Sequence, residues 1–261
     1  MDINLKGKNA FVGGSSRGIG KATAIELSKL GANVTLVSRS VELMIDLVQE
    51  LDSSQGQYHD YLVADFNDIE NLEKQVNTLV SKKDIHILVN NTGGPAPGGI
   101  LDAELDDFLN AFKNHVICNQ LLVKIFSEGM KNSGYGRIIN IISTSVKEPL
   151  EGLGVSNTTR AAVANWAKTL ANELGEFGIT VNNVLPGFTD TERLSEIFKI
   201  RAEKMGISKE EVIVQMKNTV PLKRFAEPKE LGMAVAFLAS PAASYITGTN
   251  MVVDGGRTKS H

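Results

Sequence analysis

The chain has one cysteine, Cys118, in 261 residues, so it can form no internal disulfide. A reducing compartment, the cytoplasm, is the expected setting. No apolar run approaches the ~20 residues that a membrane-spanning helix requires. The opening MDINLKGKNAF has no apolar core of the kind a secretion signal carries. Neither charge dominates. Lys and Arg number 27 against 30 Asp and Glu, a net charge of −3, which gives no sign of nucleic acid or an anionic membrane as partner. Repeats, linkers and low-complexity tracts are absent. The expectation is one domain over 1–261.

What is present is alternation. Short β-rich runs fall at 9–14, 33–39, 58–65, 84–91, 137–143, 179–187 and 250–256. Helical patterns lie between them at 18–31, 41–51, 68–82, 103–131, 155–176 and 228–240. The strands are apolar throughout rather than alternating, which suits a parallel sheet covered on both faces. Strand–helix alternation over a whole chain predicts an α/β doubly wound sheet of about seven parallel strands. A charged helical stretch over 191–218 breaks the rhythm. It makes 188–225 a candidate mobile cap over a site, with Phe188, Leu194, Ile197 and Phe198 either lining a substrate or packing the cap down.

After the first strand comes GGSSRGIG, in which Gly14 is followed by Ser16, Arg17, Gly18, Ile19 and Gly20. Glycines let backbone approach a phosphate closely, and the helix that follows offers free N–H groups. In the first βα unit of such a sheet this predicts a dinucleotide site. A carboxylate at the end of the second strand would bind the adenine ribose. Here that strand ends in Ser38 and Arg39. Two guanidinium groups, Arg17 and Arg39, suit a ribose 2′-phosphate, so NADP is expected in preference to NAD.

With these features the chain resembles a short-chain dehydrogenase/reductase over nearly its whole length. The matching stretches are GGSSRGIG, Asp65 after the third strand, NNTGG at 90–94, GRIINIIS at 136–143, VNNVLPGFTDT at 181–191 and YITGTNMVVDGG at 245–256. The branch it looks most like contains the beta-ketoacyl-acyl-carrier-protein reductases. The resemblance implies a Rossmann fold and a pyrophosphate on the glycine turn, with Asp65 against adenine and Asn91 and Gly93 beside the cofactor. It further implies that Asn90 props the central strands, and that Pro186, Gly187 and Thr191 sit at the nicotinamide end. It implies a homotetramer, a small-molecule substrate that includes acyl thioesters, and NADPH-driven carbonyl reduction. Gly13 and Thr92 stand where the family usually has threonine and alanine.

The family's working tetrad is asparagine, serine, tyrosine and lysine. Ser143 matches the serine. Thirteen residues on, in GVSNTTRAAV, Ser156 holds the tyrosine position and Arg160 the lysine position. His115 falls at the asparagine position, or Asn114 if the alignment slips by one. A serine hydroxyl is a far weaker acid than a phenol, and arginine does not shuttle protons as lysine can. His115 titrates near neutrality unless it is simply packed in a helix. Lys147 either reaches the site or sits in solvent, and Cys118 reads as core. Three functions stay open: a reductase of altered mechanism using Ser143, Ser156, Arg160 and His115, a dinucleotide-binding scaffold of little turnover, and a different reaction on the same fold.

Overall fold

The structure is a computed structural model and describes residues 1–260. Seven strands form one wholly parallel sheet in the order β3-β2-β1-β4-β5-β6-β7. They are β1 (Asn9–Gly13), β2 (Asn33–Ser38), β3 (Asp60–Val63), β4 (Ile87–Asn90), β5 (Gly136–Ile141), β6 (Ile179–Pro186) and β7 (Asn250–Val253). The doubly wound expectation is met. The strand order reverses between β1 and β4, and the crevice outside their C-terminal ends is where this class of sheet binds ligands.

The helices are α1 (Gly18–Lys29), α2 (Val41–Glu50), α3 (Ile69–Val80), α4 (Leu105–Phe112), α5 (Cys118–Ser133), α6 (Gly154–Leu174), α7 (Glu192–Met205), α8 (Lys209–Asn218) and α9 (Pro228–Ala239). One face of the sheet buries Leu27 of α1, Met44 and Leu47 of α2 and Leu231, Val235 and Leu238 of α9. The other buries Leu72 and Val76 of α3, Leu122 and Phe126 of α5 and Ala167 and Ala171 of α6. Strands such as Ile87–Asn90 are buried at every residue because both faces are covered.

Two departures from the sequence pattern bear on the site. The helix expected over 103–131 is interrupted by a π-turn at Lys113–Ile117, which joins α4 to α5. The charged helical stretch is built of two helices. Gly206, at φ +66°, ends α7, and a capping box between Ser208 and Glu211 starts α8.

Under the site runs a ladder of asparagines. Asn90, Asn140, Asn183 and Asn250 are register partners on β4, β5, β6 and β7. Each side-chain amide donates to the next carbonyl oxygen at 2.8 Å. The ladder ties four strand ends together in the interior and leaves one end, Asn90 Oδ1, buried without a partner. Asn90 thus props the strands as the resemblance implies.

Candidate functional site

The glycine turn is shaped by close approach. Gly14 and Gly18 adopt φ of +56° and +53°. A Cβ on Gly14 would lie 2.6 Å from Asn91 O, and one on Gly20 would collide with the Gly14 carbonyl oxygen. Asn91 Nδ2 donates to Gly13 O at 3.1 Å and Gly14 O at 3.3 Å, so this side chain holds the turn rather than facing the cleft. Ser15 Oγ accepts from Val37 N at 2.8 Å and pins the turn to β2. At Gly13 a Cβ would meet Asn91 O at 3.0 Å and the Phe66 ring at 3.3 Å, so the missing threonine side chain makes room for both. α1 begins after Arg17 without a side-chain cap, which leaves its first N–H groups free for an anion. Ile19 packs its side chain against the core and offers only backbone.

In front of this turn lies a cleft of about 560 Å³ walled by Gly14, Ser16, Arg17, Ser38, Arg39, Asp65, Thr92 and Gly93, among others. Both expected guanidinium groups line it, each with an acidic neighbour. Arg17 Nη1 pairs with Glu192 Oε2 of α7 at 2.6 Å, and Arg39 Nη1 stands 3.8 Å from Asp65 Oδ2. Both pairs are exposed and so weak in water. Asp65 Oδ1 accepts from the backbone and the amide of Asn67 at 2.9 Å each, and these bonds hold its carboxyl below the usual range. The end of β2 offers Ser38, whose hydroxyl donates to Ser16 Oγ at 2.9 Å, and no carboxylate. Glycine backbone, a free helix start and two arginines fit a phosphorylated dinucleotide.

The residues expected at the tetrad positions lie after β5, on the π-turn and at the start of α6. Ser143 follows β5. Its Oγ accepts from Ser145 N at 3.0 Å, which leaves its proton free to be donated. Arg160 is only 8% exposed, and its Nη1 donates to Ile141 O at 2.9 Å. Burial lowers its pKa to about 10, so it remains a cation at neutral pH. Among the described residues no carboxylate stands at ion-pairing distance from it. Ser156 is half-buried one turn before Arg160, and its hydroxyl has no hydrogen-bond partner among the described residues.

His115 faces inward from the π-turn and is 2% exposed, while Asn114 faces the cleft and donates to Asn67 Oδ1 at 2.9 Å. His115 Nδ1 is 2.7 Å from Thr92 Oγ1. Burial, aided by the Arg160 charge, pushes its pKa down to about 3, so the ring is neutral in ordinary buffers. The remaining candidates hold structural posts. Gly187 N donates to Val253 O at 2.9 Å next to Pro186, and Thr191 caps α7 by accepting from Leu194 N at 3.4 Å. A Cβ on Gly18 would touch the Thr191 methyl at 3.4 Å, so the cap begins against the glycine turn. Lys147 is half-buried at the end of the turn Thr144–Val146. Cys118 donates to Phe66 O at 3.1 Å, and burial raises its pKa to about 11, which makes it an inert core thiol.

Residues 14–258 match the family model described as Enoyl-(Acyl carrier protein) reductase. The chain is 31% identical to the NADPH-dependent reductase BacG of Bacillus subtilis (strain 168), with 97% of this chain and 98% of that one covered. It is 34% identical to the 3-oxoacyl-[acyl-carrier-protein] reductase FabG of Haemophilus influenzae, again with 97% and 98% covered. The crystal structure of L-sorbose reductase from Gluconobacter frateurii, complexed with NADPH and L-sorbose, superposes with a TM-score of 0.93. It has 31% identity and full coverage of both chains.

The chain belongs to the short-chain dehydrogenase/reductase family. Within the site Thr92 and His115 form one hydrogen-bonded pair, and the Arg160 charge bears on the His115 ring. Sequence reading singled out His115 but gave Thr92 no role. The signal available was the coincidence of two unusual polar residues, and nothing in their 23-residue separation says that they touch.

Proposed function

We propose that this short-chain dehydrogenase/reductase is an NADPH-dependent reductase that turns the ketone carbonyl of a small molecule into an alcohol without a tyrosine–lysine pair. The observation that carries this reading is an intact dinucleotide cleft beside Ser143 and a buried, carboxylate-free Arg160. Arg17 and Arg39 would hold the 2′-phosphate and the free start of α1 the pyrophosphate. The bound nicotinamide supplies the hydride that reaches the carbonyl carbon. As the C=O bond gives up its second pair of electrons, the oxygen gains negative charge. Arg160 is a fixed cation in a site of low dielectric, where such stabilisation is strongest. Ser143 donates its proton to that oxygen and recovers one from water. A neutral imidazole accepts at one ring nitrogen while donating from the other, so His115 with Thr92 can pass a proton on but not supply one.

Ketones, 3-oxoacyl thioesters included, are the substrates to try. A homotetramer in the cytoplasm fits the same reading. The outer side of α4 and of the π-turn leaves Leu105, Leu109, Phe112 and Ile117 exposed, an apolar stripe suited to a second copy. The test is fluorescence titration with NADPH and NADH beside a ketone panel. Tight NADPH binding with turnover supports the reading. NADPH binding without any turnover leaves the scaffold reading, and equal affinity for NADH removes the 2′-phosphate assignment.

A further inference from the structure

Beyond β7 the chain turns back through Gly255 and Gly256, at φ +67° and +84°. This tail is firmly placed. Asp254 Oδ1 accepts from Gly256 N at 2.9 Å, and its Oδ2 accepts from Thr258 N at 2.6 Å. Leu222 N donates to Gly255 O at 3.3 Å, which ties the tail to the base of the cap. The result is to hold Arg257 over Phe188, its guanidinium carbon 4.4 Å from the ring centroid. Phe188 in turn is wedged against Phe225 at 6.0 Å and directly follows the Pro186–Gly187 turn.

Arg257 is therefore held in orientation but not neutralised. Its Nε is buried without a hydrogen-bond partner. Among the described residues it has no carboxylate at ion-pairing distance. Asp254 has both oxygens committed to tail backbone. Three charges act on Arg257: Asp254 from the tail, Glu148 from the loop after Ser143, and Arg201 from α7. A guanidinium held over a ring with its fork unpaired suits a planar, two-oxygen anion.

We propose that Arg257 binds a carboxylate on the substrate, so that the molecule reduced is an oxo acid. This rests on the reductase reading above. Arg257 is a specificity-determining residue and takes no part in the chemical step.

The experiment pairs C4–C8 oxo acids with their methyl esters and adds a neutral 3-oxoacyl thioester. All are assayed with NADPH against the natural protein, Arg257→Met and Arg257→Lys. Loss of a charge-assisted pair predicts that Arg257→Met raises KM for the acid about 10–100-fold while KM for the ester stays within about twofold. Arg257→Lys should recover part of the loss, and NADPH affinity should not move in either variant. Calorimetric titration of the NADP⁺-saturated protein with the same acids and esters separates this proposal from the reductase reading. Acid-selective binding that Arg257→Met abolishes supports the carboxylate site even if nothing is turned over. Acid and ester handled alike, a thioester preferred and indifferent to Arg257, or no acid bound at all would each overturn it.

Discussion

Thr92 Oγ1 and His115 Nδ1 meet at 2.7 Å, joining the loop after β4 to the π-turn between α4 and α5. His115 is buried, and Thr92 supplies the partner of its ring nitrogen. Thr92→Val keeps the shape and removes the hydroxyl, stranding Nδ1 in the interior. An unsatisfied buried polar group costs about 1–3 kcal/mol, so the urea midpoint should fall by a corresponding amount. An unchanged midpoint would mean that the pair contributes nothing to stability.

The same pair sets an acid limb. His115 is held near a pKa of about 3 by burial and the Arg160 charge, whereas an unfolded histidine titrates near about 6.5. Between these values the unfolded chain binds the extra proton. Stability is therefore highest above pH ~6.5 and falls as pH drops toward ~3, by up to about 1.4 kcal/mol per unit. In His115→Gln this share of the slope should vanish. Denaturant melts at a series of pH values check it, and parallel slopes in the two proteins would refute it.

Arg39 stands at the end of β2 where a carboxylate would select NAD. Arg39→Asp should weaken NADPH about 10–100-fold, the worth of a charge-assisted pair, and leave NADH unchanged or tighter. Fluorescence titration reads both. Equal losses for the two cofactors would place Arg39 away from the 2′-phosphate.

The asparagine ladder makes a separate prediction. Asn140→Ala leaves Asn90 Nδ2 and Asn183 Oδ1 unpaired in the core. Two stranded groups predict a loss of about 2–5 kcal/mol, seen as a large drop in the urea midpoint. A drop no greater than that of an ordinary exposed substitution would show the ladder to be incidental.

The parts legible in the sequence were those with local causes. The glycine turn announces itself because Gly14 and Gly18 take positive φ and Gly20 packs against the Gly14 carbonyl, demands set within the turn itself. The strands announce themselves because both faces are buried. What escaped depends on residues far apart in sequence, as with Asn91 on the Gly13 and Gly14 carbonyls, Arg17 on Glu192 and Arg257 on Phe188. The π-turn escaped for a different reason. It adds a residue to one turn without breaking the apolar stripe, which is also why counting could slip between Asn114 and His115. The split at Gly206 and Ser208 was written in a glycine stop and a capping box, and the charged run masked it.

Ketone-dependent oxidation of NADPH by Ser156→Tyr/Arg160→Lys, measured beside the natural protein and each single variant, bears on the chemistry at its centre. If Ser156 and Arg160 stand in place of a phenol and the lysine that tunes it, the natural protein reduces simple ketones slowly. The double variant should then gain up to the ~10²–10⁴-fold that general acid catalysis contributes, while neither single change suffices. Fast turnover by the natural protein that disappears in Ser156→Ala would contradict this, because Ser156 would then be a working group in its own right.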